Sequence, residues 1–337
     1  DTEVDDGPVR LAAFSSIDPS WYGIAFEPLP PTSVTPVQLP SRFQPDPGLY
    51  VISIVPLQGI WTLDPDTYDW FRHRDPMAKV AHVFHVYEVT DPSRPIDRIV
   101  QCAAPVPPLD EAALVAGFGD HVDAATGYFT FDCIHGWLYP GTEGRLVVPG
   151  AVRDEPWVER RTAAGSLVFS QDEHWSHPAL DIYKGLVSHA SAQPPEHTVV
   201  LAPSGEAPGQ ILDTRALSQG PVATSGPLTF LGYDLRKDRA AVTLATFWRV
   251  DETTSRPLSL MAHRLDEEGS LIEVADGLGV PSPAWQSGDV IVQRHRFEQG
   301  KGYLKVGGYW LDTMTRWSVG EDEVPGADGV LILKTVD

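Results

Sequence analysis

Alternation of apolar and polar residues is clearest in the segment 228–317. Within it, the even-numbered residues of 241–250 are apolar or Thr, so they share one face of a predicted strand, because side chains alternate between the two faces of a sheet. Turn sequences rich in Gly, Pro and Asp recur about every 8–15 residues. About five to eight antiparallel strands of this kind predict a β-sandwich, jelly-roll or immunoglobulin-like, over 228–337.

The preceding part of the chain mixes strand and helix patterns. The apolar run LYVISIV (49–55) predicts a strand buried on both faces, and KVAHVFHVYEV (79–89) predicts a second central strand. The best helical pattern is PLDEAALVAG (108–117), with Asp110 as its N-cap. Together these elements predict an α+β domain over 1–190.

Between these two parts, residues 191–227 are rich in Pro, Gly, Ser and Gln and contain two short apolar runs. Such a composition predicts an inter-domain linker, with room for one edge strand of the second domain. The predicted fold is therefore mainly β, with an α+β domain (1–190), a linker (191–227) and an antiparallel β-sandwich (228–337).

The charge of the chain limits its partners. It carries 46 acidic and 25 basic residues, a net charge of −21. Such a charge repels nucleic-acid phosphates and anionic lipid headgroups, which argues against both as partners. The sequence also lacks the run of about 18 apolar residues that a membrane-spanning helix needs, so we predict no direct membrane insertion.

The two cysteines, Cys102 and Cys133, each lie in a predicted strand. Pairing across neighbouring strands is geometrically reasonable, and the alternatives are two buried free thiols or, less consistent with the pattern, a catalytic thiol. A disulfide would indicate an oxidising, extracytoplasmic compartment. The sequence begins with Asp1 and shows no signal peptide, which suggests a processed chain or a piece of a longer one.

The C-terminal part resembles the β-sandwich of large bacterial membrane glycosyltransferases of the protein-mannosyltransferase-like kind. The matching stretches are LSLMAHRLDEEGSLIEVADGLGVPSPAWQSGDVIVQRHRF (258–297) and GGYWLDTMTRW (307–317). The residues that match the pattern of that family are His263, Gly269, Asp276, Pro281, Trp285, Gly288, Asp289, Tyr303, Gly307, Tyr309, Arg316 and Trp317.

The first domain is similar to an accessory segment of the same glycosyltransferases. Its matching stretches are 18–24, 50–61, 70–89 and 131–141. The resemblance implies an extracytoplasmic region that lies beside a multi-spanning catalytic unit. This chain lacks that unit, so the catalytic acids of the transferase have no counterpart here.

The segment QDEHWSHP offers a weak candidate metal site, with Asp172, His174 and His177 close together in sequence. A catalytic zinc takes three N or O ligands, but the spacing lacks the H-E-x-x-H form, and a solvated polar loop is the alternative. We therefore predict no cofactor. Structural calcium remains an alternative for the carboxylates of the predicted sandwich turns, which are Asp266, Glu267, Glu268, Asp276 and Asp289.

Aromatic residues provide the remaining candidates for ligand contact. Flat rings on an exposed sheet can stack against sugars, whereas rings in the core fill the sandwich. Tyr309 and Trp310 are adjacent in one predicted strand and so face opposite ways. The candidate ligand-binding residues are Trp285, Trp310, Trp317, His263 and Asp289.

These observations favour a non-catalytic, extracytoplasmic cell-envelope protein that contacts a glycan or another surface protein. Two alternatives are an enzyme that acts on envelope carbohydrate through two carboxylates at the domain junction, and a structural subunit of a surface assembly. A GxSxG nucleophile elbow, a P-loop and a GxGxxG motif are all absent from the sequence.

Overall fold

The computed structural model shows a mainly β protein, as the alternation of apolar and polar residues predicts. None of the helices that it describes has the length and apolarity needed to cross a bilayer. The described residues are 9–13, 19–23, 25–31, 40–90, 95–103, 109–173, 177–185, 199–200, 218–219, 221–237, 240–266, 268–318 and 330–332.

The first sheet has five strands, in the order β2-β1-β3-β5-β4. Strands β1 and β2 are parallel to each other, β1 and β3 are parallel, and the remaining pairs are antiparallel. Aromatic rings of Tyr50, Phe71 and Tyr87 pack together on it. The strands are β1 (Val9–Ala12), β2 (Glu27–Pro28), β3 (Gly48–Ser53), β4 (Ala78–Val80) and β5 (Phe84–Val89).

The strand predicted over 79–89 is instead a hairpin. Ala81 and His82 form its turn with positive φ angles of 52° and 57°, and β4 lies at the exposed edge of the sheet. Val80 pairs with Phe84, so Ala81, His82 and Val83 connect the two strands, and Ala-His is not one of the Asn-Gly or Asp-Gly pairs that turns with two positive φ angles usually carry. His82 thus lies in the turn, and the His85 ring lies beside the Tyr87 hydroxyl, 3.4 Å away.

The second sheet also has five strands, in the order β10-β11-β9-β6-β7. Its central strand β9 pairs antiparallel with β11 and parallel with β6, and all five of its residues are buried. The strands are β6 (Arg98–Cys102), β7 (Gly127–Phe131), β9 (Arg145–Pro149), β10 (Ser166–Gln171) and β11 (Leu180–Lys184).

The helices are short. The longest described one, α3, has eight residues, and the Asp110 carboxylate caps it by accepting a hydrogen bond from the Ala113 N–H at 2.8 Å, as predicted. Because the other helices are shorter still, the predicted α+β character of 1–190 has no clear support. The helices are α1 (Ile54–Leu57), α2 (Asp69–Arg72), α3 (Glu111–Phe118), α4 (Gly150–Arg153) and α5 (Pro156–Thr162), with 3₁₀ turns at Pro19–Tyr22, Gly119–His121 and Ser282–Ala284.

Two antiparallel sheets form the predicted β-sandwich. One has the order β14-β15-β18-β8, and the other runs β17-β16-β19-β20, with β21 also paired to β19. Buried residues of both sheets belong to one apolar cluster. The strands are β8 (Gly136–Tyr139), β14 (Leu228–Lys237), β15 (Ala241–Val250), β16 (Leu258–Leu265), β17 (Leu271–Val274), β18 (Val290–Glu298), β19 (Tyr303–Trp310), β20 (Thr315–Arg316) and β21 (Val330–Ile332).

The strand β8 comes from the N-terminal part of the chain. It pairs antiparallel with β18, Val290 opposite Tyr139, and its four residues are all buried. The sandwich therefore takes its fourth strand from the segment before the predicted linker. Within that linker the structure describes only a few residues, including β12 (Val199–Val200) and β13 (Ser218–Gln219), which pair with each other, and Val222, which bridges to Phe230.

Cys102 and Cys133 form a disulfide, so the pairing that the two predicted strands suggested is confirmed. Both residues are fully buried, and their Cα atoms lie 5.2 Å apart. The bond ties the end of β6 to the loop between β7 and β8, and thereby holds β8 close to the second sheet. It closes a loop of 31 residues.

Removing this disulfide should destabilise the protein. For the double variant Cys102→Ser/Cys133→Ser we expect the free energy of unfolding to fall by about 2–4 kcal/mol, because the open chain gains conformational entropy when it unfolds. Chemical denaturation measures this directly. Treatment with a reducing agent should lower the stability of the wild type to a similar extent and leave the double variant unchanged. Equal stability of the two proteins would contradict the prediction.

Candidate functional site

Two of the candidate tryptophans lie in the core. Trp285 is 3% exposed and donates its indole N–H to the Val280 carbonyl at 3.0 Å, and Trp317 is 1% exposed. The ring of Trp317 packs directly on the backbone of Gly226 and Gly308, where an added Cβ would lie within 2.2 Å of it. Both rings fill the sandwich and present no face to a ligand.

The third, Trp310, is partly buried at the end of β19. The edge of its ring meets Trp317 at a centroid distance of 5.6 Å, and the guanidinium of Arg256 lies 4.3 Å from its centre. Arg256 in turn forms a two-pronged ion pair with Asp312. Trp310 therefore packs between Trp317 and Arg256 at the end of this strand.

Asp289 belongs to a buried ion pair. Its Oδ1 atom accepts hydrogen bonds from Arg98 Nη1 at 2.8 Å and the Gly141 N–H at 2.7 Å, and its Oδ2 accepts from the Gln286 N–H at 2.8 Å. The side chains of Arg98 and Asp289 are both fully buried, and Arg98 also donates to the Ala284 carbonyl. Strand β6, the turn after β8 and the segment before β18 thus meet at the Asp289 carboxylate. This carboxylate is buried and has no access to a ligand.

His263 lies in a hydrogen-bonded group with Asp276 and Tyr309. Its Nε2 atom is 3.2 Å from Asp276 Oδ1, the Tyr309 hydroxyl donates to Asp276 Oδ2 at 3.1 Å, and the Ala262 N–H donates to Oδ1 at 2.9 Å. Burial alone would raise the pKa of Asp276, but these hydrogen bonds together hold that pKa below its ordinary value. The group holds β16, β19 and the loop after β17 together.

The structure separates the residues of the candidate metal segment. Asp172 is exposed and pairs with Arg153 at 3.0 Å, and His174 lies outside the described residues. His177 instead meets two carboxylates that the sequence does not suggest, with its Nε2 atom 3.3 Å from Asp64 and 3.8 Å from Asp66.

This His–Asp cluster is the one group of three convergent ligand residues in the part of the chain that the structure describes. The carboxylates of the sandwich turns that could bind calcium do not form such a group among those residues. Two arginines flank the buried Asp66, with Arg42 at 3.7 Å and Arg72 at 3.6 Å. Because both neighbours are cationic, the cluster is explained as an ion-pair network.

A cleft on the outer face of the sheet β14-β15-β18-β8 is a stronger candidate site. Its volume is about 340 Å³, and helix α5 forms one wall. The small residues Gly136, Thr243 and Ala245 form the floor of the cleft. They leave a hollow between the longer side chains around them. We call this hollow the basic cleft because five of the seven residues that line its sides are cationic. These seven residues are Trp157, Arg160, Arg161, Asp234, Arg236, Lys237 and Arg294.

Helix α5 directs three of these side chains into the basic cleft. Arg160 and Arg161 follow Trp157 by three and four positions, so both lie on the same helix face as Trp157. The Trp157 ring meets Trp137 of β8 edge-on at 5.8 Å, which fixes the helix over the sheet. Arg161 lies over the Phe247 ring at 4.7 Å.

Strand β18 contributes Arg294 from the opposite side. It lies 5.0 Å from the centre of the Trp157 ring, and its Nη1 atom donates to the Ile134 carbonyl at 2.9 Å. Its pKa is lowered, first by burial and then by repulsion from Arg161 and Arg160. Three arginines thus lie close together in the basic cleft, where Asp234 lies 3.7 Å from Arg161 and Glu155 attracts Arg294.

Comparison with known proteins gives no further guide to this site. No protein-family model matches the chain, and no curated protein is significantly similar to it.

The sequence does not reveal the basic cleft because its cations come from three separate segments, α5, β14 and β18. The nearest signal is the run VERR in α5, where two adjacent arginines follow an aromatic residue by three and four positions. This signal is weak, because the same stretch also carries Asp154, Glu155 and Glu159.

Loss of the Asp289 carboxylate should be strongly destabilising. For Asp289→Ala we expect a loss of about 3–5 kcal/mol in the free energy of unfolding, because Arg98 would remain buried without its counter-ion. Glu27→Ala, which removes an exposed partner of Arg10, is the matched control and should cost at most about 1 kcal/mol. Denaturant titration compares them, and equal losses would contradict the buried role.

The pKa of Asp276 predicts a pH dependence of stability. Since its folded-state pKa is lowered, its ionised form stabilises the protein above the unfolded pKa of about 3.9, and this contribution is lost as the pH falls through the folded value. Asp276→Asn should cost about 1–2 kcal/mol at about pH 7. The difference from wild type should shrink below about pH 4, as measured by unfolding at several pH values. A difference that grows towards low pH would contradict this assignment.

Proposed function

We propose that this protein is a non-catalytic, extracytoplasmic binding protein of the cell envelope that contacts a glycan in the basic cleft. The observation that carries the proposal is the partly exposed Trp157 ring, which lines a concave site together with planar guanidinium donors. A flat indole offers a surface to the C–H face of a sugar, and guanidinium N–H groups can donate to its oxygens. Sites for small molecules combine these two kinds of contact.

The disulfide supports the compartment in this proposal. The pair Cys102–Cys133 is buried, and stable disulfides form in oxidising environments outside the cytoplasm. The resemblance to the accessory region of protein-mannosyltransferase-like glycosyltransferases points the same way. An association with a glycosyltransferase of that kind is part of the proposal.

The lining of the basic cleft favours binding over hydrolysis. Hydrolysis of a glycosidic bond by the usual route needs two carboxyl groups about 5–10 Å apart. Among the described residues that line the basic cleft, Asp234 is the one carboxylate, and it lies 3.7 Å from Arg161. The carboxylate enzyme and the surface-assembly subunit remain alternative predictions from the sequence.

A glycan array tests the proposal with two tryptophan variants. We expect binding of envelope oligosaccharides to the wild type to fall about tenfold or more in Trp157→Ala, because stacking area is lost. Trp21→Ala is the matched control, since Trp21 is 81% exposed and lies outside the basic cleft. Binding that both variants retain equally, or that no oligosaccharide shows, would overturn the proposal.

A further inference from the structure

The basic cleft has the opposite charge to the protein that contains it. The whole chain has a net charge of −21, yet the described lining of this hollow has five cationic side chains and one carboxylate. Like charges in a recess cost free energy, because the recess is less polar than water and each charge feels its neighbours more strongly. This lining therefore favours an anion over a cation as the ligand of the basic cleft.

The hydrogen-bonding capacity of the arginines points in the same direction. Arg161 donates to the Tyr139 hydroxyl at 3.4 Å and faces Asp234, and Arg294 donates one N–H to the Ile134 carbonyl. These contacts use only part of the five N–H donors of each guanidinium. The planar fork of a guanidinium matches two oxygens of a phosphate or carboxylate.

The form of the hollow limits the size of the anion. A volume of about 340 Å³ lies at the lower end of the range for small-molecule sites. The floor of Gly136, Thr243 and Ala245 leaves space above the sheet, while the cations stand at its sides. An oxyanion attached to one or two sugar units therefore fits the site better than an extended acidic protein surface does.

We infer that the basic cleft binds an oxyanion, a phosphate or a carboxylate group, that is carried by a glycan, and that the cations lining it, Arg160, Arg294 and Lys237 among them, contact this group. The glycan part of this inference rests on the proposed function; the oxyanion part rests on the charges and geometry of the basic cleft. Trp157 then contacts the sugar ring next to the anionic group. The ligand class is an acidic sugar, either phosphorylated or a uronic acid.

Calorimetry with matched sugar pairs tests this inference. The pairs are mannose 6-phosphate with mannose, and a glucuronic acid disaccharide with its carboxyl-reduced counterpart. We expect the charged member of at least one pair to bind about tenfold to a hundredfold more tightly, as one or two charge-assisted hydrogen bonds require. The pair that shows the difference identifies the anion as a phosphate or a carboxylate.

Charge-neutralising variants locate the site. Arg160→Gln and Lys237→Gln should each reduce the preference for the charged sugar about tenfold, and Arg160→Lys should retain part of it. Arg249→Gln is the matched control, because Arg249 lies on β15 outside the basic cleft and pairs with Asp251. Thermal unfolding of each variant checks that the fold is intact. A preference that survives in both cleft variants would overturn the inference.

Binding of inorganic pyrophosphate distinguishes a failure of the oxyanion inference from a failure of the proposed glycan-binding function. If charged and neutral sugars bind equally and Trp157→Ala abolishes the binding of both, the oxyanion inference is overturned and the proposed function stands. If pyrophosphate binds to the wild type but not to Arg160→Gln, and no sugar binds, the oxyanion site stands and the proposed glycan binding is overturned. Tighter binding of a poly-glutamate peptide than of any sugar would also overturn the glycan part and indicate an acidic protein as the partner.

Discussion

The buried ion pair between Arg98 and Asp289 is the interaction on which the arrangement of the sheets depends. Arg98 begins a strand of the second sheet, whereas Asp289 stands just before β18 of the sandwich. Two charges without access to water are costly unless they pair closely and hydrogen bonds satisfy most of their other polar atoms. Asp289 has such partners in the Gly141 and Gln286 N–H groups. The pair therefore fixes the second sheet, the turn after β8 and the start of β18 in one geometry.

The backbone around this pair leaves no room for larger residues. A Cβ added to Gly141 would lie 2.7 Å from the carbonyl carbon of Gly288, so the two chain segments touch there. Gly288 itself has a φ of 88°, which glycine adopts without strain. The Gly-Asp pair at 288–289 thus serves the close approach of two segments and the buried charge. The basic cleft lies on the sheet that this contact orients.

Local patterns in the sequence predict the local elements well. The alternation in 241–250 appears as β15, and Asp110 caps its helix, because both signals depend only on neighbouring residues. The hairpin at Ala81 and His82 gives no such signal, since Ala disfavours a positive φ and Ala-His is not a usual turn pair. The basic cleft could not be predicted, because its cations converge only after α5 packs over β14 and β18. Likewise, the contrast between buried Trp285 and exposed Trp21 depends on packing that a strand pattern does not contain.

The pairing of β8 with β18 has a consequence for the order of synthesis. Gly136–Tyr139 leaves the ribosome about 150 residues before the strand that it pairs with, and chain elongation at 5–20 residues per second makes that delay roughly ten to thirty seconds. During this interval a strand that is fully buried in the finished fold has no sheet to join, while the disulfide partner at Cys133 is already available to Cys102. When these segments reach an oxidising compartment in the same order, early formation of this covalent link holds the waiting strand against the second sheet until its neighbour arrives. The disulfide then positions β8 during folding and also stabilises the finished fold.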